Sequence, residues 1–129
     1  MPDTNIRPKV LCVDDDHGQR VLLTFFLERQ GLDVRAAGDG NEGVAMAQEW
    51  QPDLILMDLM MPGMDGFKAT EILRAGPRTA HIPILALTAY GEEKIQARAK
   101  AVGMVGLVLK TILPADLSDI VRKHLPSMQ

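Results

Sequence analysis

Three acidic side chains stand in a row where an apolar segment ends. The segment Val10–Val13 is followed directly by Asp14, Asp15 and Asp16. Neighbouring carboxylates repel one another and raise one another's pKa, so a cation or a helix N-terminus must compensate them. A hard divalent ion of the Mg²⁺ type binds carboxylate and carbonyl oxygens, keeps several waters and leaves room for a phosphate oxygen. The stretch therefore predicts a metal site at which a phosphoryl group could bind.

Asp58, Thr88 and Lys110 each follow a further apolar segment, and their groups suit phosphoryl transfer. A hydroxyl, an ammonium and a metal ion together stabilise charge on the equatorial oxygens of an in-line transfer. One carboxylate must then be the nucleophile. Asp58 is the candidate for this role because it is the single acid at the end of its predicted strand, whereas Asp14, Asp15 and Asp16 follow one another.

Apolar segments alternate with helix-like segments along the whole chain. Because the apolar segments are continuous and not alternating, they are typical of parallel strands covered on both faces. The predicted strands are Val10–Val13, Val34–Ala37, Leu54–Met57, Ile82–Leu87 and Val105–Leu109. The predicted helices are Gln19–Gln30, Asn41–Glu49, Gly66–Ala75, Glu92–Val102 and Pro114–Leu125.

This order of elements predicts an α/β fold with a doubly wound, five-stranded parallel sheet. Strands joined by helices form right-handed crossovers, and the ligand site of such a sheet lies beyond the carboxyl ends of its central strands. The acids, Thr88 and Lys110 all lie at predicted strand ends. We therefore expect them to meet at one edge of the sheet.

Length and charge limit the classes of function. The chain has 129 residues, the size of one domain, and a formal net charge of -3 without a basic stripe, so we expect no nucleic-acid partner. No apolar run approaches the length of a membrane span, so we expect no membrane partner and a cytoplasmic location. The single cysteine, Cys12, lies inside an apolar run and is interpreted as an inert buried thiol.

These motifs resemble those of the response-regulator receiver domains of the CheY-like family. The matching motifs are V-D-D-D after the first strand, M-D-L-M-M-P-G-M-D-G around Asp58, L-T-A at Thr88 and the lysine that closes the fifth strand. The resemblance implies a (βα)5 flavodoxin-like sheet with strand order 2-1-3-4-5. It also implies one receiver domain over residues 1–129, with its core at about 8–125 and no output domain.

The resemblance implies two-component signalling with Asp58 as phosphoacceptor. The donor would be a phosphohistidine on a sensor histidine kinase or a histidine phosphotransfer protein, and phosphorylation would switch the surface offered to a downstream protein. Asp15, Asp58 and the main-chain carbonyl of Met60 would bind Mg²⁺ or Mn²⁺ directly, and Asp14 would act through a water. The chain would be a switch that promotes only its own phosphorylation and dephosphorylation, not an enzyme.

Other residues receive roles from the same resemblance. Thr88 and Lys110 would be the catalytic and switch residues, while Met60, Ala89 and Tyr90 would modulate the lifetime of the acyl phosphate. The first helix contains V-L-L-T-F-F-L, a wider apolar surface than one sheet contact needs, so part of it should remain exposed. The donor would dock at Gly18, Gln19, Leu22, Thr111 and Ile112.

The third acid, Asp16, is expected to have a structural role, and the sequence departs from the family pattern at three other positions. Asp16 is expected at the start of the first helix, where a carboxylate is favoured by the helix dipole, with His17 exposed beside it. The residue after Lys110 is Thr111 where the family has a cis proline, so we expect a trans bond. Leu107 replaces the usual aromatic residue, and Leu113 is a poor helix cap.

Two alternatives stay open. The chain could be an unphosphorylated scaffold of the same fold, as the missing aromatic and proline suggest. It could also be a phosphatase similar to the haloacid dehalogenases, which combine a nucleophilic Asp, Mg²⁺, Thr and Lys. Their nucleophile lies on the first strand, so that alternative makes Asp14 the reactive residue.

Overall fold

In the computed structural model, which describes residues 6–126, strands and helices alternate along the chain. The elements are β1 (Lys9–Val13), α1 (His17–Arg29), β2 (Asp33–Ala37), α2 (Gly40–Trp50), β3 (Leu54–Asp58), α3 (Gly66–Ala75), β4 (Ile84–Thr88), α4 (Glu93–Ala101), β5 (Gly106–Leu109) and α5 (Pro114–His124). Every neighbouring pair of strands is parallel, and the strand order is β2-β1-β3-β4-β5. The predicted fold class and strand order are confirmed.

Both faces of the sheet are covered, which explains the continuous apolar strands. On one face Ile55 and Met57 of β3 belong to a buried cluster with residues of α2, α3 and α4. On the other face Leu54 and Leu56 belong to a second cluster with residues of α1 and α5. Successive residues of one strand thus enter opposite cores.

Within residues 6–126 no helix has both the length and the apolar character that crossing a bilayer requires.

The observed bounds differ from the predicted ones at the ends that matter for the site. Asp58 and Thr88 are the last residues of β3 and β4 themselves. Helix α1 begins at His17, two residues earlier than expected, because the Asp16 carboxylate accepts a hydrogen bond from the Gln19 N–H at 3.3 Å and so caps the helix. The expected place of Asp16 at the helix start is confirmed.

Features expected near the start of α5 are also present. Helix α5 begins at Pro114, and Leu113 before it makes no side-chain capping bond. No peptide bond within residues 6–126 is cis, so the bond between Lys110 and Thr111 is trans.

On β1, Cys12 is fully buried, and burial together with Asp14 raises the pKa of its thiol to about 12. The thiol stays protonated, as the interpretation of an inert residue requires.

Gly66, the first residue of α3, lies directly against the end of β3. A Cβ atom built on it would be 2.2 Å from the carbonyl oxygen of Asp58, while the Gly66 N–H donates to the Leu59 carbonyl at 3.1 Å. No side chain can occupy this space without moving the backbone of Asp58. The glycine therefore permits α3 to begin immediately behind the strand end that carries the central acid.

We expect Gly66→Ala to lower the free energy of unfolding by roughly 2 to 3 kcal/mol, because the added methyl group must displace main-chain atoms. Urea unfolding followed by the fluorescence of Trp50, the only tryptophan, measures the change. Gly18→Ala is the control: it lies on the exposed first turn of α1, where the nearest atom would be 3.4 Å away. Equal stability of the two variants would contradict the expectation.

Candidate metal centre

The carboxylates predicted to form a metal site converge at the carboxyl ends of β1 and β3. These strands are neighbours in the centre of the sheet, with Asp14 directly after β1 and Asp58 at the end of β3. One carboxylate oxygen from each of Asp14, Asp15 and Asp58 lies within 4.8 Å of the others. Asp14 and Asp58 are 1 % and 4 % exposed, whereas Asp15 is open to solvent.

Lys110 places its ammonium between the two buried acids. Its Nζ lies 2.9 Å from Asp14 Oδ2 and 3.2 Å from Asp58 Oδ2. The backbone of Lys110 is held by the neighbouring strand, because its N–H donates to the Thr88 carbonyl at 2.8 Å. The strand order therefore delivers one cation from the end of β5 to acids on β1 and β3.

Burial and charge act in opposite directions on Asp58. The net pKa of its carboxyl group is raised to about 6, first by burial and then by the nearby Asp14. Lys110 and a hydrogen bond from the Met60 N–H to Asp58 Oδ1 at 3.3 Å oppose this rise. For Lys110, burial lowers the pKa of the ammonium, but its contacts with Asp14 and Asp58 outweigh burial, and the net change is a rise.

The donor set fits a hard divalent cation. Asp14 Oδ1 accepts a hydrogen bond from the Asp16 N–H at 2.9 Å, while the buried Asp14 Oδ2 has no hydrogen-bond partner and only the ionic contact with Lys110. Three acids face a single ammonium, which leaves negative charge uncompensated. Oxygen donors of this kind suit Mg²⁺ or Mn²⁺ and not thiolate-binding metals.

Thr88 ends β4 beside this cluster, and its hydroxyl is tied to the following loop. Thr88 is fully buried, and its Oγ1 accepts a hydrogen bond from the Tyr90 N–H at 3.1 Å. Ala89 and Tyr90 are exposed, as is Met60, two residues after the end of β3. Sequence reasoning did not foresee the bond between the hydroxyl and the loop, which depends on the local path of the chain.

Several of the proposed docking residues line one cavity next to Lys110. The cavity has a volume of about 90 Å³, and its walls include Gln19 and Leu22 on α1 and Ile112 across the cleft. Leu22 is 63 % exposed, so part of the apolar surface of α1 is open, as expected. Gly18 and Thr111, the other two proposed docking residues, are exposed but do not line the cavity.

Arg20 is a residue near the site that sequence reasoning missed. Its Nη1 donates to the main-chain carbonyl of Asp14 at 2.8 Å, and its Nη2 lies 3.4 Å from Nδ1 of the exposed His17. A cation in the first turn of the helix that follows an acidic loop is the signal that could have indicated it, because side chains of a helix point back towards its N-terminus.

Comparison with known proteins places these residues in a family. The model of the response regulator receiver domain matches residues 10–122. The chain is 36 % identical to the phosphate regulon transcriptional regulatory protein PhoB of Rhizobium meliloti over 92 % of this chain and 52 % of PhoB. It is 48 % identical to the DNA-binding regulator RpaA of Synechocystis over 69 % of this chain and 38 % of RpaA. The chain thus spans about half or less of the length of these relatives.

Smaller relatives match along most of their length. Protein PilH of Pseudomonas aeruginosa is 36 % identical over 81 % of this chain and 86 % of its own length. The solved structure of the chemotaxis protein CheY4 of Vibrio cholerae superposes with a TM-score of 0.89 at 33 % identity, covering 93 % of this chain and 100 % of CheY4.

We expect Asp58→Asn to raise the free energy of unfolding at about pH 8, without metal, by on the order of 1 to 3 kcal/mol. The folded-state pKa of about 6 exceeds the ordinary value of 3.8, so the ionised carboxylate destabilises the fold fully above the higher value. This penalty disappears as the pH falls from about 6 towards 3.8. Urea unfolding in the presence of a chelator, repeated across this range, should show the advantage of the variant shrinking.

Asp16→Asn is the control for this measurement, because it changes an exposed acid next to the site and retains a residue that can cap α1. A stability difference between Asp58→Asn and the unmodified chain that stays constant with pH would contradict the account of Asp58.

Proposed function

The chain belongs to the family of response regulator receiver domains, and on that premise we propose that it is a switch that accepts a phosphoryl group on Asp58. The donor is a phosphohistidine of a sensor histidine kinase or a histidine phosphotransfer protein. A carboxylate oxygen of Asp58 attacks phosphorus, the P–O bond forms as the P–N bond breaks, and the released imidazole takes up a proton. Residues 8–125 are the proposed receiver core.

One observation carries this proposal: Asp58 is buried where a cation and two further acids converge on it. Lys110 Nζ lies 3.2 Å from Asp58 Oδ2, and the carboxylates of Asp14 and Asp15 lie within 4.8 Å. Burial alone would make Asp58 a poor nucleophile at neutral pH, since it favours the protonated acid. The Lys110 ammonium opposes this effect of burial and so keeps the carboxylate available for attack.

Asp15, Asp58 and the Met60 carbonyl would hold Mg²⁺ or Mn²⁺ directly, and Asp14 would act through a water. When bound, the ion supplies positive charge against the acids and against the oxygens of the phosphoryl group. Lys110, which bridges Asp14 and Asp58, can keep its contact with Asp58 and turn a second N–H towards a phosphoryl oxygen.

Thr88 supplies the link from phosphorylation to a change of surface. A hydroxyl can accept and donate at once, and that of Thr88 already accepts from the Tyr90 N–H, which leaves its proton free for a phosphoryl oxygen. A shift of the hydroxyl towards that oxygen pulls on the loop that contains Ala89 and the exposed Tyr90. With Leu107 in place of an aromatic residue, this loop is the proposed reporter of the phosphorylated state.

We expect incubation with Mg²⁺ and a small acyl or amido phosphate to add one phosphoryl group, mapped to Asp58 by peptide mass spectrometry. Asp58→Asn should abolish the mass increase because it removes the nucleophile. Asp15→Asn should slow labelling by about tenfold or more through loss of a metal ligand. The matched control Asp16→Asn should label normally, since Asp16 caps α1.

Each alternative function makes a different prediction for the same experiment. An unphosphorylated scaffold would give no covalent adduct. A phosphatase of the haloacid-dehalogenase type would place the adduct on Asp14. An adduct on Asp14 or Asp15, or none, would therefore contradict the proposal.

Donor docking at α1 is tested by comparing phosphoryl transfer from a protein donor with labelling by a small donor. Leu22→Asp should slow transfer from a phosphotransfer protein by about tenfold or more, because it puts a charge into the apolar wall of the cavity. Labelling by a small donor should be unaffected. Phe25→Asp is the control: it is 60 % exposed on the same helix but does not line that cavity. Equal losses with both donors would indicate misfolding and contradict a docking role.

The lifetime of the acyl phosphate is proposed to depend on Met60 and Tyr90. Their side chains are exposed, and neither offers a carboxylate or amide that could orient an attacking water. We expect the double variant Met60→Asn, Tyr90→Glu to lose its phosphoryl group several-fold faster, measured by the decay of the phosphorylated mass after removal of the donor. If the phosphorylated form of the double variant lasts as long as that of the unmodified chain, or longer, Met60 and Tyr90 do not determine the lifetime.

A further inference from the structure

Arg20 of α1 makes a contact to the acidic loop that has no part in the proposed phosphoryl transfer. Its Nη1 donates to the main-chain carbonyl of Asp14 at 2.8 Å, and the side chain is half-buried. This carbonyl belongs to the peptide unit that joins Asp14 to Asp15, the two acids contributed by the loop to the metal centre. Because a peptide unit is planar, holding its carbonyl also fixes the direction in which the chain enters Asp15.

The guanidinium satisfies this carbonyl at the point where the sheet ends. The last pair of β1 and β2 is Val13 with Ala37, and the Asp14 N–H still donates to the Ala37 carbonyl at 3.0 Å. In a continuing parallel ladder the Asp14 carbonyl would next accept from the Asp39 N–H, but β2 ends at Ala37 and Asp39 is already the cap of α2. Arg20 therefore continues the hydrogen bonding of β1 by one step beyond the sheet.

Gly38 provides the space in which the guanidinium lies. A Cβ atom built on Gly38 would be 3.3 Å from Arg20 Nη1 and 3.5 Å from its Cζ. A larger side chain at this position would push the guanidinium away from the Asp14 carbonyl. Gly38 does not have a positive φ, so the backbone itself can accept a side chain.

We propose that Arg20 is a positioning residue for the metal centre: its guanidinium holds the peptide between Asp14 and Asp15 so that both carboxylates face the ion. The inference rests on the proposed function, since it assigns Arg20 a role towards the metal bound by these acids. Arg20 itself touches neither the ion nor the phosphoryl group. It acts on the orientation of residues that do, in the way that outer hydrogen bonds orient metal ligands.

The sign of the effect separates this role from simple electrostatics. Removing a positive charge near a cation site should tighten cation binding if only the charge of Arg20 matters. Removing a group that holds two ligands in place should weaken it. The two explanations therefore predict opposite changes for Arg20→Gln.

Binding of Mn²⁺ alone, followed by loss of the electron paramagnetic resonance signal of the free ion, tests the proposal without any phosphorylation. We expect Arg20→Gln to raise the dissociation constant by about tenfold. Gly38→Val, which keeps Arg20 but displaces its guanidinium, should change binding in the same direction. Arg29→Gln is the matched control, because it removes a cation from an exposed position of the same helix and should stay within about twofold.

The outcomes distinguish this proposal from the proposed function. If the unmodified chain binds Mn²⁺ and Asp15→Asn weakens binding, the proposed metal centre is supported. In that case, Arg20→Gln and Gly38→Val variants that bind Mn²⁺ equally well or more tightly would overturn the role of Arg20 alone. If the unmodified chain binds no Mn²⁺, or Asp15→Asn binds it unchanged, the proposed metal centre is overturned and this role with it. Should Arg20→Gln fail to fold, by the fluorescence of Trp50, Gly38→Val decides.

Discussion

The contact on which the site depends is that of Lys110 with two buried acids at once. Asp14 and Asp58 lie at the ends of adjacent central strands, where their mutual repulsion would destabilise the fold if nothing compensated it. The ammonium, 2.9 Å and 3.2 Å from the two carboxylates, offsets part of that repulsion. A divalent ion would neutralise the negative charge that Lys110 leaves uncompensated. The contact with Lys110 thus limits the free-energy cost of burying the two acids and still leaves the site short of positive charge.

Much of the fold could be predicted because its signals are local. Continuous apolar segments separated by helix-length segments define a parallel sheet covered on both faces, and all ten elements are present with bounds within two residues or so. The site followed from the fold, since residues at the carboxyl ends of central strands must meet. The family motif around Asp58 and the lysine that closes the fifth strand then distinguished this arrangement from other doubly wound sheets.

What the sequence could not indicate depends on contacts between distant segments. Arg74 on α3 donates to the main-chain carbonyls of Gly103 and Ile82, and so connects the loops before β5 and β4. Nothing in the local pattern distinguishes it from a solvated helix arginine. Gly66 is a similar case, because its need for glycine arises from the carbonyl of Asp58 and not from its own backbone angles.

The most direct test of the account is a crystal structure with Mn²⁺ and beryllofluoride, a mimic of the phosphoryl group, in which anomalous scattering locates the metal. The account predicts beryllium bonded to an Asp58 oxygen and the ion among Asp14, Asp15, Asp58 and the Met60 carbonyl. It also predicts Lys110 and the Thr88 hydroxyl on different fluorine atoms. An ion outside this cluster, or an adduct on Asp14, would contradict it.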